Sequence, residues 1–406
     1  MTEPVALKRS LSLPLLTLYG LGTTVGAGIY VLVGQVAGRA GLLAPVSFLV
    51  AALLAGLTAF SFAELSSRYP RSAGEALYIR EGLRLPALAT AAGLAVALAG
   101  IVSAAAIMLG ASGYAAELLG LPRLPLLVLL TLALGGIAFW GIEQSALIAG
   151  AVTLVELLGL LIVIAAGAGE IDPGRAWTAL SLEPRSLLGI FAGSMLAFYA
   201  FLGFEDMVNV AEEVKDAPRV LPLAIVLTLG VTAAVYLSVA LVAVLTVPAA
   251  ELAASEAPLV LVYSASGGRW PQLLTAIGAL ATMNGALIQM IMAARILYGL
   301  AQQGALPAAF AGVSTATRTP LLASLVAVCA TLLLALFFPI DLLAEATSVI
   351  TLCVFALVNL ALLAIKRRGP ARGPGLSVPA ALPLAGFLAC CGFLAVEAAH
   401  LAGLLL

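Results

Sequence analysis

Two stretches of this chain are apolar enough to cross a bilayer, yet each carries helix-breaking residues near its centre. Residues 13–36 hold Gly22, Gly26 and Gly28 in mid-span. Residues 187–211 hold Tyr199-Ala200-Phe201-Leu202-Gly203-Phe204, followed by the acids Glu205 and Asp206. Glycine weakens a helix where it should be strongest. Backbone groups freed at that depth are tolerated only when buried in protein or facing a cavity. Paired discontinuous helices at the membrane midplane mark the binding site of a secondary transporter.

Composition supports a membrane setting. The chain is 63% hydrophobic and 10% charged, whereas a soluble protein carries roughly 25% charged residues. Eleven spans of about 20 apolar residues are expected: 13–36, 43–64, 86–118, 123–141, 145–167, 187–211, 221–247, 271–300, 320–338, 342–365 and 379–404. The segments between them are short, so almost no extramembrane domain is expected. The first run is too long for a signal peptide and lacks a small-residue cleavage site. Net charge is −1, so no attraction to nucleic acid is implied. Cys329, Cys353, Cys390 and Cys391 all sit in apolar stretches, which argues against disulfides or a zinc site.

Lys and Arg set the orientation. With the N-terminus inside, fourteen fall on the cytoplasmic side and five (Arg39, Arg123, Arg175, Arg185, Arg269) outside. An odd number of spans then places the C-terminus outside. The breaks fall in the first and sixth spans. This suggests two inverted repeats, residues 13–167 and 187–365, with an additional helix at 379–404 and the site at the repeat interface.

At the first break, Gly22-Thr23-Thr24-Val25-Gly26-Ala27-Gly28, unwinding would aim backbone N–H groups at a small anion such as a carboxylate. Carbonyls of the inner half-helix would suit an ammonium group, and an amino acid carries both. The bland alternative is close helix packing through small residues. At the second break, carbonyls from Tyr199 to Phe204 complete an amine site. Tyr199 is either a gate over the substrate or part of an aromatic packing stripe. Glu205 and Asp206 form a cytoplasmic gate or face an aqueous vestibule, and Arg295 is a candidate partner for Glu205.

Glu156 is the lone charge of the fifth span, in AVTLVELLGLLIVIAAG. A carboxyl at helix centre costs about 2.5–3.5 kcal/mol on insertion scales, and burial favours its protonated form. Three readings stay open: a proton carrier, a structural acid, or a sodium ligand. Thr282 and Asn284 offer polar groups at similar depth, for coupling or for an interhelical hydrogen bond. His400, near the outer end of the last span, reads as an interface residue. Residues 64–84 read as an amphipathic segment along the membrane surface or across the inner mouth. Residues 247–268 read as an outer lid. No cofactor is expected beyond the coupling ion, protons with sodium as the alternative. No obligatory protein partner is evident.

Four stretches together resemble the amino acid–polyamine–organocation (APC) superfamily of permeases. They are GTTVGAGIYVLVG at 22–34, FAELSSRYPRSAGEALYI at 62–79, FYAFLGFEDMVNVAEEVKDAPRVLP at 198–222 and NGALIQMIMAARILYGLAQQGALP at 284–307. The last two are similar to bacterial and archaeal members and to the cationic amino acid transporter branch. The resemblance implies an all-α, five-plus-five inverted-repeat fold with discontinuous helices 1 and 6, working by alternating access. It implies that the substrate carboxylate meets the Gly26, Ala27 and Gly28 amides. The amine would meet carbonyls around Thr23, Thr24, Tyr199, Ala200 and Leu202. It puts an aromatic gate at Tyr199 and an inner-gate acid at Glu205. In two respects the chain departs from it. Some proton-coupled relatives carry a lysine where Glu156 aligns, and many members have twelve spans.

The function expected is a multi-pass transporter of the cytoplasmic membrane, moving amino acids with protons. Exchange without proton coupling is the alternative. The apolar, small-residue pocket suits neutral substrates, while Glu205 keeps cationic amino acids or polyamines open. No nucleotide-binding loop, pore signature or protease constellation is present, so an enzyme is not expected.

Overall fold

A computed structural model describes residues 9–72, 74–140, 142–169, 184–255, 257–369 and 376–401. Among the described residues, fourteen α-helices follow in chain order: α1 (Leu13–Ala40), α2 (Ala44–Arg68), α3 (Gly74–Leu83), α4 (Pro86–Leu119), α5 (Arg123–Trp140), α6 (Ile142–Ala168), α7 (Pro184–Phe201), α8 (Ala217–Thr246), α9 (Ala249–Ala254), α10 (Pro258–Ala265), α11 (Pro271–Gln302), α12 (Leu321–Phe337), α13 (Ile340–Arg367) and α14 (Ala381–Leu401). A 3-10 segment, Phe204–Glu213, continues from α7. Among the described residues there is no strand, only one isolated parallel bridge between Leu11 and Val214.

Nine helices among the described residues are long and apolar enough to cross a membrane, and Arg123–Phe139 and Leu321–Phe337 are apolar but shorter. Each expected apolar segment falls on one of these eleven. Many leucines point outward, with Leu124, Leu129, Leu158 and Leu388 all more than half exposed. Small residues fill the inside, as expected where lipid is as apolar as the side chains and close backbone approach supplies the packing. Helices α4 and α11 pack along each other at the centre, as α2 does with α8 and α1 with α7. The apolar window of α11 is 78% buried and that of α14 is 22% buried, so the last helix is peripheral.

Two short segments have definite places. Helices α9 and α10 lie against α1 within the expected outer segment. Helix α3 buries Glu75, Ala76, Tyr78 and Ile79 and packs on α4 and α13, while Arg80 and Glu81 are exposed. Its apolar face was visible in the sequence, but it meets protein and not lipid.

Candidate functional site

The first helix breaks at Gly26, whose φ of −17° and ψ of −124° leave helical space. Just before it, Thr23 and Thr24 turn their hydroxyls back onto the Tyr19 and Gly20 carbonyls, each at 2.8 Å. Such back-bonding is common where helices bend. The second break follows α7. Gly203 has φ +122°, a conformation that only glycine adopts without strain. A Cβ there would lie 2.8 Å from the Thr23 carbonyl carbon, so the two breaks touch. A Cβ on Gly28 would meet the Ala200 Cα at 2.9 Å. Gly203 combines a break with close packing, whereas Gly28 packs closely two residues beyond the break at Gly26.

Tyr236 of α8 ties the breaks together. Its hydroxyl lies 2.6 Å from the Thr24 carbonyl and 3.0 Å from the Ala200 carbonyl. Both are carbonyls at which an amine was expected.

One cavity opens beside the breaks. Thr23, Thr24 and Gly28 of α1 line it, with Tyr199, Leu202, Glu205 and Asp206 of the second break. Ser103 of α4, Gln289 and Met292 of α11, and Thr347, Thr351 and Phe355 of α13 complete the wall. Gly26, Ala27 and Ala200 are not among its lining residues. A Cβ at Gly26 would face Gly285 of α11 at 3.5 Å, and the Ala27 side chain lies outside the described residues.

Three carboxylates face this cavity, and no Lys or Arg lines it. Glu205 accepts the Gly203 N–H at 2.8 Å, which satisfies a backbone donor freed by the break. Asp206 accepts a bond from the Gln289 amide at 2.7 Å. Glu75 of α3 accepts one from Asn209 at 3.2 Å. Burial pushes the Glu75 carboxyl up from 4.5 to about 8; the Glu205 charge adds to the rise, and the bonds from its own amide and from Asn209 oppose it.

Stability therefore depends on pH through Glu75. The folded state binds the Glu75 proton more tightly than the unfolded chain, so its contribution is full below about 4.5 and lost as pH rises through about 8. Glu75→Gln is expected to flatten the fall in thermal stability over that window. A fall as steep as the parent's would remove Glu75 from the account.

A second polar cluster lies behind the first break. Glu156 is fully buried. Its Oε1 accepts a bond from the Asn284 amide at 2.8 Å, and its backbone carbonyl accepts the Tyr30 hydroxyl at 2.7 Å. Asn284 also reaches Thr153 Oγ1 at 3.2 Å. Gly22 makes room for them, since a Cβ there would sit 2.3 Å from Thr153 Oγ1. Glu156 Oε2 and Asn284 Oδ1 remain buried without partners. Two unpaired buried acceptors are costly, and one proton or small cation between such atoms relieves the cost. Thr282 does not join them, because its hydroxyl bonds the Ala279 carbonyl of its own helix at 2.8 Å.

Arg295 does not pair with Glu205. It pairs with Glu213, at the end of the 3-10 segment, at 3.0 Å, and both side chains are buried. The Glu213 carbonyl also receives the Ser10 and Leu11 amides. Removing one partner of a buried pair leaves a naked charge and costs about 3–5 kcal/mol. Arg295→Met is expected to lower stability by that much, and adding Glu213→Gln is expected to restore part of it. Thermal unfolding in detergent checks this, and additive losses in the double variant would show that the two do not act as a pair.

Sequence reasoning missed Tyr236, Glu75, Ser103 and Gln289. Tyr236 is an aromatic in an apolar span and carries no local signal. Glu75 could have been found as the acid on the apolar side of α3.

Comparison with known proteins adds to this geometry. A family described as amino acid permease matches residues 11–402. The chain is similar to cationic amino acid transporter 2, vacuolar, of Arabidopsis thaliana, 32% identical over 392 residues covering 91% of this chain and 61% of that protein. It is similar to the branched-chain amino acid permease BcaP of Bacillus subtilis, 28% identical over 90% of this chain and 82% of that one. It is also similar to the methylthioribose transporter of the same organism, 27% identical over 92% and 85%. The chain spans about three-fifths of the length of the plant relatives it matches.

Proposed function

The chain belongs to the amino acid permease family, and from that premise we propose that it moves amino acids across the cytoplasmic membrane as a proton-coupled secondary transporter. The single observation that carries this reading is the contact of Gly203 with the Thr23 carbonyl beside one cavity. Two helix breaks that meet at a cavity offer amides and carbonyls to a zwitterion. The substrate carboxylate takes the amides of Gly26, Ala27 and Gly28. Its amine takes carbonyls near Thr23 and Thr24 and near Tyr199, Ala200 and Leu202. Since the Tyr236 hydroxyl holds the Thr24 and Ala200 carbonyls, an entering amine displaces it or uses their second lone pairs. Tyr199 covers the substrate, and Glu205 and Asp206 gate the inner side.

Glu156 with Asn284 carries the proton. The unpartnered Glu156 Oε2 supports this. Residues 13–167 and 187–365 act as inverted repeats that rock about the site, and the Lys/Arg distribution supports an inward N-terminus.

One observation favours a second reading of the substrate. Glu75, Glu205 and Asp206 line the cavity without a cation, which favours an amino acid with a cationic side chain over a neutral one. Uptake of a labelled amino-acid mixture into proteoliposomes, with and without an inward proton gradient, tests the function. Accumulation only with the gradient is expected, with unlabelled lysine or arginine competing better than leucine. Uptake that ignores the gradient and needs internal amino acid would overturn proton symport in favour of exchange.

A further inference from the structure

Away from the central cavity, a second pocket opens where α2 ends, α3 ends, α4 begins and α13 ends. Arg68, Arg80, Arg84 and Arg368 line it, and Glu81 is the one acid among its lining residues. Two of the guanidinium groups are fixed by the fold. Arg368 donates to the Glu81 carbonyl at 2.8 Å and to the Gly82 carbonyl, at the end of α3. Arg68 pairs with Glu64, and its Nε is buried without a partner. Arg80 and Arg84 are exposed, and no ion pair engages them among the described residues. Pro86, the first residue of α4, also lines the pocket. That helix has no side-chain cap and no acid in its first turn, so its uncompensated positive end adds to the same field.

With Arg68 paired to Glu64, the excess positive charge at the opening comes from Arg80, Arg84 and Arg368, against Glu81 alone, and an anion with several oxygens would offset it. Guanidinium forks match phosphate oxygens in pairs. The position points to the source of the phosphate. The pocket lies where spans end, and the exposed stripe of α4 leading away from it runs through Ala87, Ala91, Leu94 and Leu98, the two leucines at 40% and 49% exposure. A headgroup in the pocket would lay its acyl chain along that face. We propose that this pocket binds a phosphate-bearing anion, the headgroup of an anionic phospholipid. Basic pockets between membrane helices suit such headgroups. The inference stands apart from the transport reading.

Native mass spectrometry of the full chain in detergent tests it, with phosphatidylglycerol and phosphatidylcholine as probes. The parent is expected to hold phosphatidylglycerol about tenfold more tightly than phosphatidylcholine, as two or more arginines at a headgroup imply. Arg80→Gln with Arg84→Gln should erase that preference. Both side chains are exposed, so the fold should tolerate the change. Arg219→Gln, an exposed arginine outside the pocket, should leave the preference intact. Absence of preference in the parent, or an equal loss in Arg219→Gln, would overturn the site. Displacement of the lipid by millimolar inorganic phosphate would overturn the lipid assignment in favour of a soluble anion.

Discussion

Glu156→Gln is expected to abolish proton-driven accumulation in proteoliposomes while amino-acid exchange persists. Gln has the same shape and keeps an oxygen for the Asn284 amide, which now meets Glu156 Oε1 at 2.8 Å. The Tyr30 bond goes to the Glu156 backbone carbonyl and is indifferent to the substitution. What Gln cannot do is gain and lose a proton. A drop of at least about tenfold in the accumulation ratio is expected, equivalent to about 1.4 kcal/mol of lost coupling. Exchange should stay near the parent's rate, because Glu156 and Asn284 do not line the cavity in which the proposed substrate contacts lie. If accumulation survives the substitution, Glu156 is a structural acid and protons take another route. If exchange and accumulation fall together, the residue holds the α1 break and not a proton.

Gly203→Ala is expected to have the largest structural effect. Its φ of +122° disfavours any side chain, and the new Cβ would press on backbone atoms of Thr23 at 2.8 and 2.9 Å. Backbone strain of this kind costs about 1–3 kcal/mol, and overpacking adds about 1–3 kcal/mol. Uptake should fall to background with a marked drop in unfolding temperature. Gly230→Ala is the control, since a Cβ there meets nothing within 4 Å. In a helix interior that change stabilises by roughly 0.5–1 kcal/mol. Unimpaired uptake by Gly203→Ala would mean that the two breaks need not touch for transport.

The spans were legible in the sequence because lipid demands long apolar runs. Even boundaries came close: residues 123–141 were expected and the helix covers Arg123–Trp140. Helix α8 was expected from 221, yet it begins at Ala217 with Pro218 in the first turn and Pro222 inside it. The breaks were legible because glycine is nearly the only residue that marks them. Facing was harder to read. Which way α3 turns Glu75 depends on packing against the next helix, α4, and against α13, about 260 residues further along the chain. The partner of Arg295 is likewise set by tertiary packing, and the nearer-looking acid, Glu205, is spent on the Gly203 amide. Thr282 and Asn284 lie two positions apart on one helix, so they point to different faces. Only Asn284 meets Glu156. The Tyr236 hydroxyl had no signal at all, since an aromatic in an apolar span reads as packing.

The most direct test of the central claim is an experimental structure of the protein with a bound amino acid. Substrate density is expected in the cavity bordered by Thr23, Gly28, Tyr199 and Leu202. Its carboxylate should lie on the Gly26–Gly28 amides, and any cationic side chain should point toward Glu75, Glu205 or Asp206. Density bound elsewhere, with this cavity holding only water, would contradict the account.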